Sequence, residues 1–273
     1  MGMLDRTFHN LVVASHIHRE LERFLLAQPG AVGAEEICQA VLLIHPPNAA
    51  VARVLVEGLC QGDARFLFDD GGRVSLLQED PAEVWRQRRG YVVVDVEATT
   101  GRKNHARIIE VGVCRIEDGK IVGQWSSLVN PGRPIAPWVQ RLTGITNAMV
   151  REAPGFEQLA SRLAAELEDM VLVAHQARFD LSCLNAEFER LYNLRLTNPY
   201  LCTVELARKY LPGLENYRLG AISGVLNIAH ERPHRAGSDA LATAAIFCRM
   251  AAEAESEFER FLRPRPPSVP AKS

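Results

Sequence analysis

The chain predicts an α/β fold: a mixed sheet flanked by helices, preceded by a small, mainly helical unit. Three observations carry this. Tyr91-Val92-Val93-Val94 is apolar at successive positions, as a strand buried on both faces requires. Two strand-like stretches follow in residues 107–131 and turn at Asp118-Gly119, a strong hairpin dipeptide. Beyond residue 130, short apolar runs alternate with helical periodicity, the order of strands and helices in an α/β domain.

Residues 8–28 carry Phe8, Leu11, Val12, Ile17, Leu21, Phe24 and Leu25 at roughly helical spacing, and Pro29-Gly30 breaks the pattern. Further helices fit 34–44 and 48–60, the last closed by Gly62. Two short strands then flank Asp69-Asp70-Gly71-Gly72. Three helices and a hairpin are the order of a winged-helix unit, so residues 1–80 are assigned to a winged-helix-like accessory domain. Such units often read DNA with the third helix. Here that helix offers only Arg53, and the hairpin tip is acidic, which favours protein contact or domain packing. Residues 81–90 read as a linker.

The second domain spans 91–262. After strand 91–97 and the hairpin, a helix is predicted near 137–142, following Pro134 and Pro137. Residues 156–168 have an apolar helical stripe, "VLVAH" at 171–175 is a short buried strand, and helices fit 179–192, 203–211, 219–227 and 238–252, the last extended towards 262. The Pro-rich end, 263–273, reads as disordered.

Composition is that of an ordinary globular protein: 47% hydrophobic, 23% charged and a net charge of −2 over 273 residues. No global basic field marks a nucleic-acid binder. Residues 1–88 hold 8 basic and 12 acidic residues, which leaves the remainder at +2 and makes it the better home for a polyanion. The six cysteines form no C-x-x-C pair, which fits free thiols in a reducing cytoplasm. The N-terminal segment lacks a signal-peptide apolar core, and no apolar run approaches transmembrane length.

Asp95 and Glu97 stand two apart on a strand and therefore face the same side. Two close carboxylates repel unless one is protonated or a cation binds. An isolated D-x-E is more often a solvated strand end, so the other acids decide. Asp180 opens a helix after a buried strand, and Asp239 lies in the first turns of the last helix. His234, five residues before Asp239, belongs to the preceding loop. Together, "DVEATTG", "VAHQARFD" and "HRAGSDA" resemble the three ordered motifs of the DEDDh 3′–5′ exonucleases, relatives of the proofreading epsilon subunit of bacterial DNA polymerase III. The likeness runs from about 90 to 250 and includes "LVNPGRPI", "LTGIT" and "REAPGFE".

The resemblance implies a ribonuclease-H-like domain. It implies Asp95, Glu97, Asp180 and Asp239 as metal ligands and His234 as general base. Two divalent cations, Mg²⁺ or Mn²⁺, would activate the attacking water and stabilise the leaving 3′-oxygen, and hard ions of this kind take carboxylate oxygens. An imidazole, with an ordinary pKa of about 6.5, is largely neutral near pH 7 and can accept a proton. Three positions depart from the usual motifs: Ala98 replaces Thr, Gln176 replaces Asn and Gly237 replaces Leu. None is a ligand or the base.

The expected substrate is a nucleic-acid 3′ end, with DNA favoured. RNA is the alternative, because Glu97-Ala98-Thr99 resembles RNA-trimming members. Ala98 and Thr99 are substrate-contact candidates by position. Leu142 and Ile145 are either core or an apolar wedge against terminal bases. Arg178 is a phosphate contact or a solvated cation. His175 reads as structural, and His9, His16 and His18 as surface or packing residues. A second class of reading makes the chain a docking module that reaches a polymerase or repair partner through its N-terminal unit.

Overall fold

The computed structural model describes residues 4, 8, 10–61, 63, 65–77, 81–88, 90–100 and 106–263. His9, Gly62 and the tail 264–273 lie outside them.

The first element among the described residues is a strand, where sequence periodicity gave a helix from residue 8. β1 (Leu11–Val13) contains two adjacent valines, whose branched side chains favour extended backbone. Helix α1 (His16–Leu26) starts only at Ser15, whose hydroxyl caps it by accepting the His18 N–H. α2 (Ala34–Ile37) continues into a π-helical turn at 38–42. α3 (Ala49–Cys60) is capped by Asn48, which accepts the Val51 N–H at 3.0 Å. The hairpin β2 (Phe66–Phe68) and β3 (Val74–Leu76) follows. Helices and hairpin share an apolar core that includes Leu21, Ile37, Val56, Phe66 and Val74. α4 (Pro81–Gln87) comes next.

The sheet begins with β4 (Tyr91–Ala98), β5 (Ile108–Glu117) and β6 (Lys120–Leu128), paired antiparallel in that order. The β5–β6 turn places Asp118 and Gly119 at φ 48° and 70°, the double left-handed conformation that tight hairpins require. α5 (Pro137–Thr143), α6 (Asn147–Arg151) and α7 (Phe156–Leu167) follow. β7 (Val171–Ala174) pairs parallel with β4. After α8 (Arg178–Tyr192) come two strands that sequence periodicity missed, β8 (Leu194–Leu196) and β9 (Tyr200–Cys202), each three residues long. α9 (Thr203–Tyr210), α10 (Leu219–Val225) and α11 (Ala236–Ala254) complete the domain, and a 3₁₀ segment at 255–261 extends α11. The strand order β6-β5-β4-β7-β9 makes the predicted mixed sheet.

Alternation along β4 sorts the two faces. Val92, Val94 and Val96 pack with Phe156, Leu163 and Phe188 of α7 and α8. Tyr91 and Val93 pack with Leu206, Ile222 and Phe247 of α9–α11. Asp95 and Glu97 continue the second set, so the pair is aimed at the side that carries α11.

Two sets of contacts join the expected accessory unit 1–80 and linker 81–90 to the rest of the chain. β1 pairs antiparallel with β8 (Leu11↔Leu196), and Phe8 and Leu11 lie in the α7–α8 core. In the expected linker, Trp85 is buried beside Tyr91 in the opposite core, and the Arg88 guanidinium stacks over it and reaches Glu255 at 2.7 Å. Five of the six cysteines are buried, and all six are free. No described helix is long and apolar enough to cross a membrane.

Candidate active site

Asp95, Glu97, Asp180, His234 and Asp239 line one cleft of about 630 Å³. They arrive on four supports. β4 brings the first two. Asp180 sits in the first turn of α8, buried, and accepts the Val96 N–H at 3.0 Å. Asp239 sits in the first turn of α11, where its second oxygen accepts the His234 N–H at 3.2 Å. His234 lies in the loop before α11 with φ 63°, an uncommon conformation for a non-glycine residue. A ring nitrogen of His234 and one carboxylate oxygen each from Glu97 and Asp239 lie within 4.8 Å of one another.

The acids crowd one another. Burial first, then the charges of Asp180, Asp239, Glu97 and Glu110, hold the Asp95 carboxyl well above the usual range. Burial, Asp239, Glu110 and Asp180 push Glu97 up to about 8, with Arg235 opposing. Asp180 is also raised, chiefly by burial, although backbone N–H groups favour its charged form. A divalent cation would relieve this crowding, and carboxylate oxygens are the donors that hard cations take. Asp95, Glu97, Asp180 and Asp239 therefore fit the cation role expected of them.

Other residues complete the cleft. His230 was not singled out by sequence, yet its Nε2 meets Asp239 Oδ1 at 2.7 Å. His175 Nδ1 meets Thr203 Oγ1 at 2.9 Å, and burial pushes its pKa down to about 4, so the ring is a neutral part of the wall. Arg218, exposed, is the single Lys or Arg among the described residues lining the cleft.

The remaining candidates lie elsewhere. Ala98 packs into the α7–α8 core, because strand alternation turns it away from Glu97. Thr99 is buried, and its hydroxyl accepts the Arg107 N–H at 3.1 Å. Ile145 is fully buried with Ile109, Ile135, Val139 and Val150, which resolves it as core rather than wedge. Leu142, by contrast, is 47% exposed on α5. Arg178 is exposed but outside the cleft lining, since two residues along a helix rotate it about 200° from Asp180.

Comparison with known proteins places the chain in a family. The Exonuclease family model matches residues 92–247. A DNA polymerase III PolC-type from Caldanaerobacter subterraneus subsp. tengcongensis is 38% identical over 212 residues, 77% of this chain but only 15% of that polymerase. DNA polymerase III subunit epsilon from Aquifex aeolicus is 35% identical over 163 residues, 60% of this chain and 81% of the subunit. Among solved structures, Exonuclease X in complex with 5′ overhanging duplex DNA superposes with a TM-score of 0.53 at 27% identity, covering 63% of this chain and 96% of that one. The chain spans about a sixth of the PolC-type polymerases it matches. It belongs to the Exonuclease family and is related to the epsilon subunit of DNA polymerase III.

Proposed function

We propose that this chain releases nucleoside monophosphates from the 3′ ends of single-stranded or frayed DNA by metal-dependent hydrolysis, in proofreading or repair. The observation that carries the reading is the convergence of four carboxylates and His234 on one cleft, from β4, α8, α11 and the loop before α11. Two Mg²⁺ or Mn²⁺ ions, held by Asp95, Glu97, Asp180 and Asp239, would supply Lewis-acid stabilisation of the attacking water and the leaving oxygen. His234, exposed at the cleft mouth, is free to accept the water's proton. Asp180 orients against β4 through Val96, and Arg218 offers a cation to the backbone phosphate of the entering strand.

DNA is favoured because the relatives are DNA polymerase III proteins and Exonuclease X is bound to DNA. RNA remains the second reading, but Ala98, the residue that resembled RNA-trimming members, packs in the core away from the cleft. For the N-terminal unit we favour a protein partner in a polymerase or repair complex. Its third helix exposes Val51, Val54 and Leu55, while its Arg53 is paired with Glu57 at 2.6 Å. Buried free thiols fit a cytoplasmic setting.

The test is incubation with 5′-labelled single-stranded DNA, RNA of the same sequence and a 3′-mismatched duplex, in Mg²⁺ or EDTA. Shortening of both DNAs faster than RNA, in Mg²⁺ alone, is expected. Faster loss of RNA would reverse the substrate choice, and intact strands throughout would end the reading.

A further inference from the structure

A fifth carboxylate stands beside the four. Glu110 on β5 is directly opposite Glu97 in the β4–β5 register and is only 3% exposed. It does not line the catalytic cleft. Its oxygens are fully engaged: Arg235 Nε donates to both at 3.0 and 3.2 Å, Arg235 Nη2 donates at 2.7 Å, and the Ala236 N–H donates at 2.8 Å. These donors belong to the residue after His234 and the first residue of α11.

Two glycines let the same turn rest on the sheet. A Cβ at Gly112, two residues beyond Glu110 on β5, would collide with the Ala236 carbonyl. A Cβ at Gly237 would lie 2.9 Å from Ser126 of β6. The start of α11 is thus held by a charge-assisted fork and by direct backbone approach. Beyond the fork, the Asp239 N–H donates to the Arg235 carbonyl at 2.9 Å, and Asp239 in turn accepts the His234 N–H. His234 keeps its left-handed backbone between these anchors, a conformation that persists only where the surroundings over-determine it.

We propose that Glu110 is a positioning residue: through Arg235 and Ala236 it sets His234 and Asp239 against Asp95 and Glu97, without binding metal or substrate itself. The inference rests on the nuclease reading above. A misplacement of about 1 Å at a reacting group costs on the order of 10²-fold in rate, so the fork has a kinetic consequence that stability alone does not measure.

The test is Glu110→Gln, which keeps an acceptor for the Ala236 N–H and removes the charge that Arg235 grips. The expected protein is folded, with kcat on a 5′-labelled oligonucleotide down about 10- to 100-fold and KM within about twofold. Calorimetric titration of Mn²⁺ into the metal-free protein should show the stoichiometry unchanged and the dissociation constant raised. Arg235→Gln should do the same, and the double variant should be no worse than either single, as for two parts of one device. A folded Glu110→Gln protein with wild-type kcat and Mn²⁺ affinity overturns the proposal. So does loss of one bound Mn²⁺, which would make Glu110 a ligand. The Mn²⁺ arm needs no turnover, and therefore separates failure of this inference from failure of the nuclease reading.

Discussion

Asp180 Oδ1 accepts the backbone N–H of Val96 at 3.0 Å, so the acid of α8 is tied to the residue between the two acids of β4. Asp180→Asn keeps an acceptor for that N–H and loses the charge, whereas Asp180→Ala loses both. Each variant should cut turnover by about 10³-fold or more, as expected when transition-state charge stabilisation is removed. Metal-free Asp180→Asn should be at least as stable as wild type at pH 8, because a crowded buried carboxylate has been neutralised. Asp180→Ala should be less stable. Near-normal turnover in either variant would contradict the assignment.

The raised carboxyls give the metal-free protein a distinctive pH dependence. Unfolded carboxyls lose their protons near pH 4, whereas folded Glu97 keeps its own up to about 8. Between those values the folded state holds the extra protons, so stability is present at low pH and falls as pH rises. In EDTA the melting temperature should be higher at pH 6 than at pH 8, and Glu97→Gln should flatten the difference. Mn²⁺ binds the charged forms, and at 100 times its dissociation constant should add about 2.7 kcal/mol. An EDTA-treated protein that is more stable at pH 8 would show that the acids are not crowded in this way.

His234→Ala separates two roles that geometry allows, because His234 lies close enough to Glu97 and Asp239 to be a ligand as well as a base. As base, its loss should lower kcat by roughly 10²–10⁴-fold and leave Mn²⁺ affinity within a few-fold. Collapse of Mn²⁺ binding in a calorimetric titration would assign it to the metal instead.

Arg218 should act on substrate affinity rather than chemistry. Its replacement by Gln should raise KM with little change in kcat. The slope of log affinity against log salt on single strands should become shallower by about 0.7, the loss of one phosphate contact. An unchanged slope would remove Arg218 from the strand's path.

Residues 1–88 should not be removable without cost, although every acid of the site lies beyond Tyr91. Truncation would strip β1 from β8 and remove buried Trp85. Trp85→Ala alone should destabilise by about 3–5 kcal/mol, measured by denaturant unfolding. A fragment 89–273 as stable as the full chain would show that residues 1–88 are dispensable to the fold.

The sheet was legible because its central strands are long and patterned: Tyr91–Ala98 and the β5–β6 hairpin show both their period and their turn. Strands β8 and β9 were not, since three residues carry no measurable period and their partners are remote in sequence. Leu11–Val13 was absorbed into a helical pattern for the same reason, and only pairing with β8 makes it a strand. In the site, side chains at motif positions were readable, whereas those defined by partners were not. Nothing in "IIEVG" tells that Glu110 will meet Arg235, although a charge within a fully apolar run was a signal that it must meet something. His230 carried no signal beyond its nearness to His234. Motif membership does not reveal which way a side chain faces, so it left Ile145 open between core and wedge and did not show Ala98 turned into the core.

The most direct test of the central claim is a product analysis. A 5′-labelled single-stranded 20-mer is incubated with the protein and Mn²⁺, and both the labelled ladder and the released nucleotides are resolved over time. Stepwise shortening from the 3′ end is expected, with 5′-monophosphates as the only small product and no reaction in EDTA or with Asp95→Ala. Internal cuts, loss of the 5′ label as a mononucleotide, or undiminished shortening in EDTA would contradict the claim.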